Sequence, residues 1–180
     1  MKIILSILLF CTLLAADRSG PYIGFGYGLS QFDDDGIYKE LKDSESTSMT
    51  LYGGAYINKY LSVELAYVNM TAGNAYKAVD ATNVEKDLSF SSLNVSTLAH
   101  YAFFDDTLDF YGKFGVGDMT AGGVGSTGFT MLLGTGVGVR FNDMLSMKVA
   151  YDRYITDYEK DGLKNEMHVD FLYTAFEVQF

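Results

Sequence analysis

The chain has 180 residues, with 13 basic against 23 acidic side chains and a formal net charge of −10. That acidity leaves no basic stripe to neutralise phosphates, which argues against nucleic acid as a partner. Its 14 Tyr, 13 Phe and 19 Gly, beside one Pro and no Trp, read as all-β, and the length suffices for one domain with a full core.

Residues 1–16, MKIILSILLFCTLLAA, carry an early Lys2 and then an apolar run ending in small residues. This is the pattern of a secretory signal peptide, with cleavage expected after Ala16. Leu14 at the −3 position meets the A-x-A pattern only in half. The run is too short for a comfortable transmembrane helix. Cys11 lies within it and no small residue directly precedes it, so a lipoprotein box is not read there. The mature chain, residues 17–180, then has no cysteine for disulfides or thiolate metal sites, and it is one domain. Losing the leader removes only Lys2 from the charged set, so the mature chain is still more acidic.

The first mature stretch, P-Y-I-G-F-G-Y-G-L-S, alternates Ile23, Phe25, Tyr27 and Leu29 with Gly24, Gly26, Gly28 and Ser30. A strand sends successive side chains to opposite faces, so one face is greasy and the other nearly bare. Seven further segments alternate in the same way. They are about Thr47–Ile57, Leu61–Met70, Ser91–Ala102, Leu108–Met119, Phe129–Phe141, Leu145–Ile155 and Met167–Phe180. Short connections, Asn58–Tyr60, Phe103–Thr107 and Asn142–Met144, take turns with longer ones. The long ones are about Asp33–Ser46, Thr71–Ser89, Thr120–Thr127 and Thr156–Glu166. Strict alternation of short and long predicts an up-and-down antiparallel meander with both ends on the short-turn side.

A soluble barrel and a membrane barrel share this periodicity, and the second face decides between them. On the sixth strand that face is Thr130, Leu132, Gly134, Gly136, Gly138 and Arg140; on the fourth it is Ser92, Asn94, Ser96, Leu98 and His100. A water-facing side would carry many Lys and Glu. This one is small and mildly polar, as suits the cramped interior of eight strands. Glu64, Lys113, Arg140, Lys148 and Glu177 all fall on it by parity. A Lys or Arg facing lipid at midplane costs roughly 2–4 kcal/mol, so such charges are driven inward. The expectation is an eight-stranded antiparallel up-and-down transmembrane β-barrel with these five residues in a lumenal ionic cluster, and Asp152 or His100 as further members. Tyr22, Tyr56, Tyr60, Tyr101, Phe103, Phe104, Phe141 and Phe180 gather near strand ends, as interfacial aromatic girdles do. Gly53, Gly112 and Thr174 share the lipid-facing parity as poor lipid contacts. Asn69, Asp118 and Asp170 share it too, beyond the apolar band.

The stretches Y-I-G-F-G-Y-G-L-S at 22–30, V-E-L-A-Y at 63–67, D-T-L-D-F-Y-G-K-F-G-V-G at 106–117, G-V-G-V-R-F-N-D at 136–143 and Y-T-A-F-E-V-Q-F at 173–180 resemble the outer membrane protein A transmembrane-domain family and its related surface antigens. The ending is similar to the signal read by the barrel-assembly machinery, with Phe180, Val178 and Ala175 in its positions and Ala replacing the usual Gly. The resemblance implies a monomer in the outer membrane of a Gram-negative bacterium, with four surface loops, lipid and lipopolysaccharide as neighbours, and interior acid–base pairs that act as a gate. Glu64 matches the acid of that gate. Lys148 stands where the family has Arg, and Arg140 where it has Glu, so the charge pattern is altered. The family's peptidoglycan-binding domain is not expected, since the chain stops at Phe180.

Function follows as a structural or surface-interaction barrel, with no cofactor, no metal and no enzyme activity expected. The acidic stretch D-D-D-G-I-Y-K-E lacks the ligand spacing of a calcium loop. A narrow gated pore is the alternative. A lipid-modifying enzyme needs an oriented nucleophile or base. Only His100 and His168 are available, and His168 has Asp170 on its face but no nearby Ser in H-x-S spacing. A soluble lipocalin-like barrel is separated by detergent dependence and heat-modifiable mobility.

Overall fold

The computed structural model describes residues 19–33, 40–79, 85–104, 106–122, 126–160 and 163–180. The expected leader, residues 1–16, lies outside the described residues. Among the described residues ten strands run in chain order: β1 Gly20–Asp33, β2 Glu40–Asp43, β3 Glu45–Asn58, β4 Leu61–Asn69, β5 Tyr76–Val79, β6 Glu85–Phe103, β7 Leu108–Gly122, β8 Ser126–Arg140, β9 Leu145–Lys160 and β10 Leu163–Gln179. Eight of them close an all-antiparallel barrel in the order β1, β3, β4, β6, β7, β8, β9, β10 and back to β1. The short β2 and β5 pair with each other, and β5 pairs with the start of β6, extending the wall on the long-connection side. Every barrel strand is paired on both sides, which removes the open edges of a flat sheet.

The turns at the chain-end rim are built by local polar chemistry. Asn58 Oδ1 accepts the Tyr60 amide at 2.8 Å, and Asn142 Oδ1 accepts the amides of Met144 and Leu145, both at 2.9 Å. Between β6 and β7 the chain reverses through left-handed Phe104 and Asp106, φ 52° and 63°, closed by a Thr107-to-Phe104 backbone bond of 3.1 Å.

The polarity is inverted relative to a soluble barrel. Ile23, Phe25, Tyr27 and Leu29 face outward and are 48–65% exposed, while Tyr22, Gly24, Gly26 and Ser30 are buried. From Phe129 to Phe141 the outward side of β8 carries Met131, Leu133, Val137 and Val139. Twelve residue steps at about 3.3 Å each, tilted by about 45°, make a band of roughly 28 Å, the thickness of a hydrocarbon core. Leu133 lies near its middle. Leu133→Lys is therefore expected to cost roughly 2–4 kcal/mol in reversible urea unfolding from lipid vesicles.

Above that band the apolar side changes face. Gln31, Asp33, Glu45, Asp87, Asp118, Thr120 and Arg153 point outward, while Phe32, Leu88, Phe90, Met119, Met167 and Val169 are buried inside. The solvent around the wall explains the switch: lipid wets apolar side chains, and water does not. It also corrects the expected long connections. Strand pairing continues through most of Thr120–Thr127 and Thr156–Glu166, with β9 and β10 paired up to Lys160 and Leu163. Asp33–Ser46 and Thr71–Ser89 contain β2 and β5. A protruding wall with an apolar filling buries more surface than loops would.

The girdle expectation also needs correcting at two positions. Tyr22 and Tyr56 are only 3% exposed and point into the lumen. They share the parity of Gly24 and Gly54, and nearness to a strand end does not decide the face. Tyr60, Tyr101, Phe103, Phe104, Phe141 and Phe180 are exposed around the chain-end rim.

Candidate functional site

The lumen is built by pairing small residues with large ones across neighbouring strands. Register sets Tyr52 opposite Gly24, Tyr22 opposite Gly54 and Tyr111 opposite Gly136. A Cβ on Gly24 would lie 2.2 Å from the Tyr52 ring, and one on Gly136 would lie 2.5 Å from the Tyr111 ring. The glycines on the inner face are therefore seats for tyrosines that lie across the neighbouring strand. Gly28 is tighter still: its Cβ would meet the Leu172 carbonyl oxygen at 2.0 Å.

Those tyrosines surround a cation. Lys148 Nζ is 5.2, 5.3 and 5.4 Å from the ring centres of Tyr22, Tyr52 and Tyr111. Such contacts favour a desolvated ammonium by ring electrostatics. Lys148 also forms an ion pair with Glu177, whose other oxygen accepts the Tyr56 hydroxyl at 3.0 Å.

A second cluster sits beside it. Lys113 Nζ is 3.0 Å from Glu64 and 3.0 Å from Asp152, so one ammonium bridges two carboxylates from β4 and β9. The Tyr173 hydroxyl donates to Asp152 at 3.0 Å, and the Tyr22 hydroxyl donates to Glu64 at 3.3 Å. These side chains are about 3% exposed. At this depth, pairing is what makes the charges tolerable.

Glu64, Lys113, Lys148 and Glu177 thus all lie in the lumen with ionic partners, and Asp152 joins them. Arg140 does not join the cluster. It lies nearer the chain-end rim, half-buried, and its guanidinium donates to Gln179 Oε1 at 3.2 Å. Parity placed it on the correct face but could not give its depth. Between rim and cluster, His100 bridges Asp109 and Ser62, at 2.9 and 2.8 Å. Asp109 and Ser62 escaped the sequence reading because each stands at the start of a strand beside a turn, where parity carries the least weight.

Toward the other end the interior turns apolar. Met70, Tyr76, Leu88, Phe90 and Phe32 pack together, with ring centres of Phe32 and Phe90 4.9 Å apart. Leu132, Tyr154 and Phe171 fill the level between this plug and the lysine clusters. On the outside, just above the lipid band, Arg153 makes a two-pronged bond to Asp170 at 2.6 and 2.7 Å. This pair gives Asp170, a charge on the lipid-facing parity, a partner at the water boundary. Of the terminal residues, Ala175 is buried against the lumen side, Val178 is half-buried, and Phe180 is 71% exposed.

The chain that closes this inverted eight-stranded barrel around a packed, charged interior matches a family model. The model of the outer membrane protein beta-barrel domain covers residues 3–180. The chain belongs to that family. Among solved structures, this family member is similar to Neisserial surface protein A, with 17% identity, 91% of this chain and 99% of that one covered, and a TM-score of 0.67. It is also similar to OprG from Pseudomonas aeruginosa, with 13% identity, 92% and 98% coverage, and a TM-score of 0.53. Ail of Yersinia pestis, solved with the heparin analogue sucrose octasulfate, aligns at 14% identity over 89% of this chain and 99% of that one, TM-score 0.51. At these identities the likeness is one of fold. No functionally curated protein matches the chain in sequence.

Proposed function

We propose that this family member is a monomeric, non-conducting barrel of the Gram-negative outer membrane, reached after removal of the leader, with a structural or surface-interaction role. The observation that carries the reading is the double seal of the lumen. Ion pairs lock one half, and Phe32, Met70, Leu88, Phe90 and Phe171 fill the other. A gate made of ion pairs can open by exchanging partners; an apolar plug offers no charged path beyond it.

Lipid and lipopolysaccharide are the partners the outer surface suits. Above the apolar band, Tyr67, Asn69, Thr71, Ser89, Ser91 and Thr120 line a shallow groove of hydroxyl and amide groups at headgroup height. The terminal strand, with Val178 and Phe180 on its outward side, is the segment offered to the barrel-assembly machinery. The wall that projects beyond the band is the surface available to other molecules.

Planar-bilayer recording tests the seal. Wild type and Glu64→Ala are both expected to stay silent, because breaking an ion pair leaves the plug in place. Regular conductance steps in the wild type, altered by Glu64→Ala, would establish the narrow-pore alternative instead.

A further inference from the structure

We propose that a groove on the outer wall, crossing β3, β1, β10 and β9, holds the headgroup of a membrane lipid that bears a primary ammonium. This rests on the reading of the outer wall as a surface for lipid, and it names the headgroup chemistry taken on one side of the barrel. The groove has a volume of about 310 Å³. Strand order puts it across the barrel from the hydroxyl-lined groove on β4, β6 and β7.

Sheet register sets two rows of residues along it. Leu29, Leu172 and Tyr151 lie side by side and form an apolar floor. Two residues farther along each strand, Glu45, Gln31 and Asp170 lie side by side, with Arg153 next to Asp170. The floor continues down the outside of β1 as Tyr27 and Phe25, 54% and 50% exposed, so an acyl chain lying on this face leads up to the groove. The polar row stands above it at headgroup height. Tyr151 between hydrocarbon and charge is in the ordinary place of an interfacial aromatic.

Charge selects the headgroup. Asp170 is engaged by both prongs of Arg153, so each neutralises the other. Glu45 is exposed, and its carboxylate has no ionic partner among the described residues. The wall around it is acidic: Asp33, Glu45, Asp87, Asp118 and Asp170 face out, against Lys77 and Arg153. A headgroup whose only charge is phosphate meets a repulsive field here, whereas one that also carries a cation is drawn in. A primary ammonium has three N–H donors. Glu45 accepts one in a charge-assisted bond, the Gln31 amide oxygen on the neighbouring strand accepts a second, and water takes the third. A quaternary ammonium carries the same charge but no N–H, so the groove tells the two apart.

The test equilibrates the folded protein in detergent micelles with equal amounts of phosphatidylethanolamine, phosphatidylcholine and phosphatidylglycerol of one acyl composition. Retained lipid is counted by native mass spectrometry, and heat-modifiable mobility reports folding of each variant. Wild type is expected to retain phosphatidylethanolamine about fivefold over each of the others, the upper range for a single exposed charge pair. Glu45→Gln, a change at an exposed site that keeps the side-chain shape, should lose that preference. Asp118→Asn, an outward acid on the far side, should keep it. Equal retention of the three lipids, a preference for either of the other two, an unchanged preference in Glu45→Gln, or an equal loss in Asp118→Asn would overturn the proposal. Lipid retention is read without conductance, so failure here leaves the sealed-barrel reading standing, and a conducting barrel would leave this groove in place.

Discussion

Lys113→Met is expected to destabilise the folded barrel by about 3–5 kcal/mol, the penalty for leaving a buried ion without its partner. The reason is stoichiometric. One ammonium serves both Glu64 and Asp152, so its removal strands two carboxylates in a space closed to bulk water. Tyr22 and Tyr173 each still donate one hydrogen bond, which offsets only part of the loss. The compensated variant separates charge from shape: Lys113→Met combined with Glu64→Gln and Asp152→Asn should recover most of the stability. Methionine matches the lysine stem, and neutral amides are far cheaper to bury than carboxylates. The chain contains no Trp, so unfolding by urea from lipid vesicles is best followed by far-ultraviolet circular dichroism and gel mobility. A single variant as stable as wild type would mean that the lysine is not what makes the two acids tolerable.

Gly24→Val is expected to cost about 3 kcal/mol, the upper end of ordinary overpacking. A Cβ at this position would overlap the Tyr52 ring at 2.2 Å. The ring has little freedom to retreat, because it sits edge-on to Tyr22 with centres 6.2 Å apart and forms part of the enclosure of Lys148. The control is Gly112→Ala on the lipid face, where an added Cβ meets nothing within 4 Å. That change should be neutral or stabilising by about 0.4–1 kcal/mol through the unfolded chain. Adding Tyr52→Ala to Gly24→Val should cost less than the two single losses combined, since either change alone already empties or crowds the same seat. The measurement is the same unfolding assay on all four proteins; equal costs at Gly24 and Gly112 would remove the seating role of the inner glycines.

Much of the barrel was legible in the chain because lipid imposes a simple rule on it. Alternation of large apolar residues with glycine and serine on Tyr22–Ser30 gave both the strand and its inverted polarity. The short turns at Asn58–Tyr60 and Asn142–Met144 gave the meander. Charges at Glu64, Lys113, Lys148 and Glu177 were assigned to the interior by parity, since the membrane penalises the other face. Three things were not legible. Above the lipid, water reverses the rule: a reading that assumes one solvent puts Leu88 in a long connection and Val169 in the last strand, leaves Phe32 and Phe90 between elements, and places none of them in an apolar plug. Parity assigns a face but not a depth, so it groups Arg140 with the lysines although Arg140 lies nearer the rim; and nearness to a strand end, set against parity, puts Tyr22 and Tyr56 in the girdles.

The wall is legible from the chain alone: the number of barrel strands, their direction, and which side meets hydrocarbon, because each follows from local alternation and the cost of burying charge in lipid. The company each inward side chain keeps comes from the closed barrel. Lys113 lies 49 positions from Glu64 and 39 from Asp152, and Ser62 lies 38 from His100. Closure and register of the sheet bring them within 3 Å. Hydrogen-bond register across distant strands is a property of the closed barrel as a whole, and no local stretch of residues carries it.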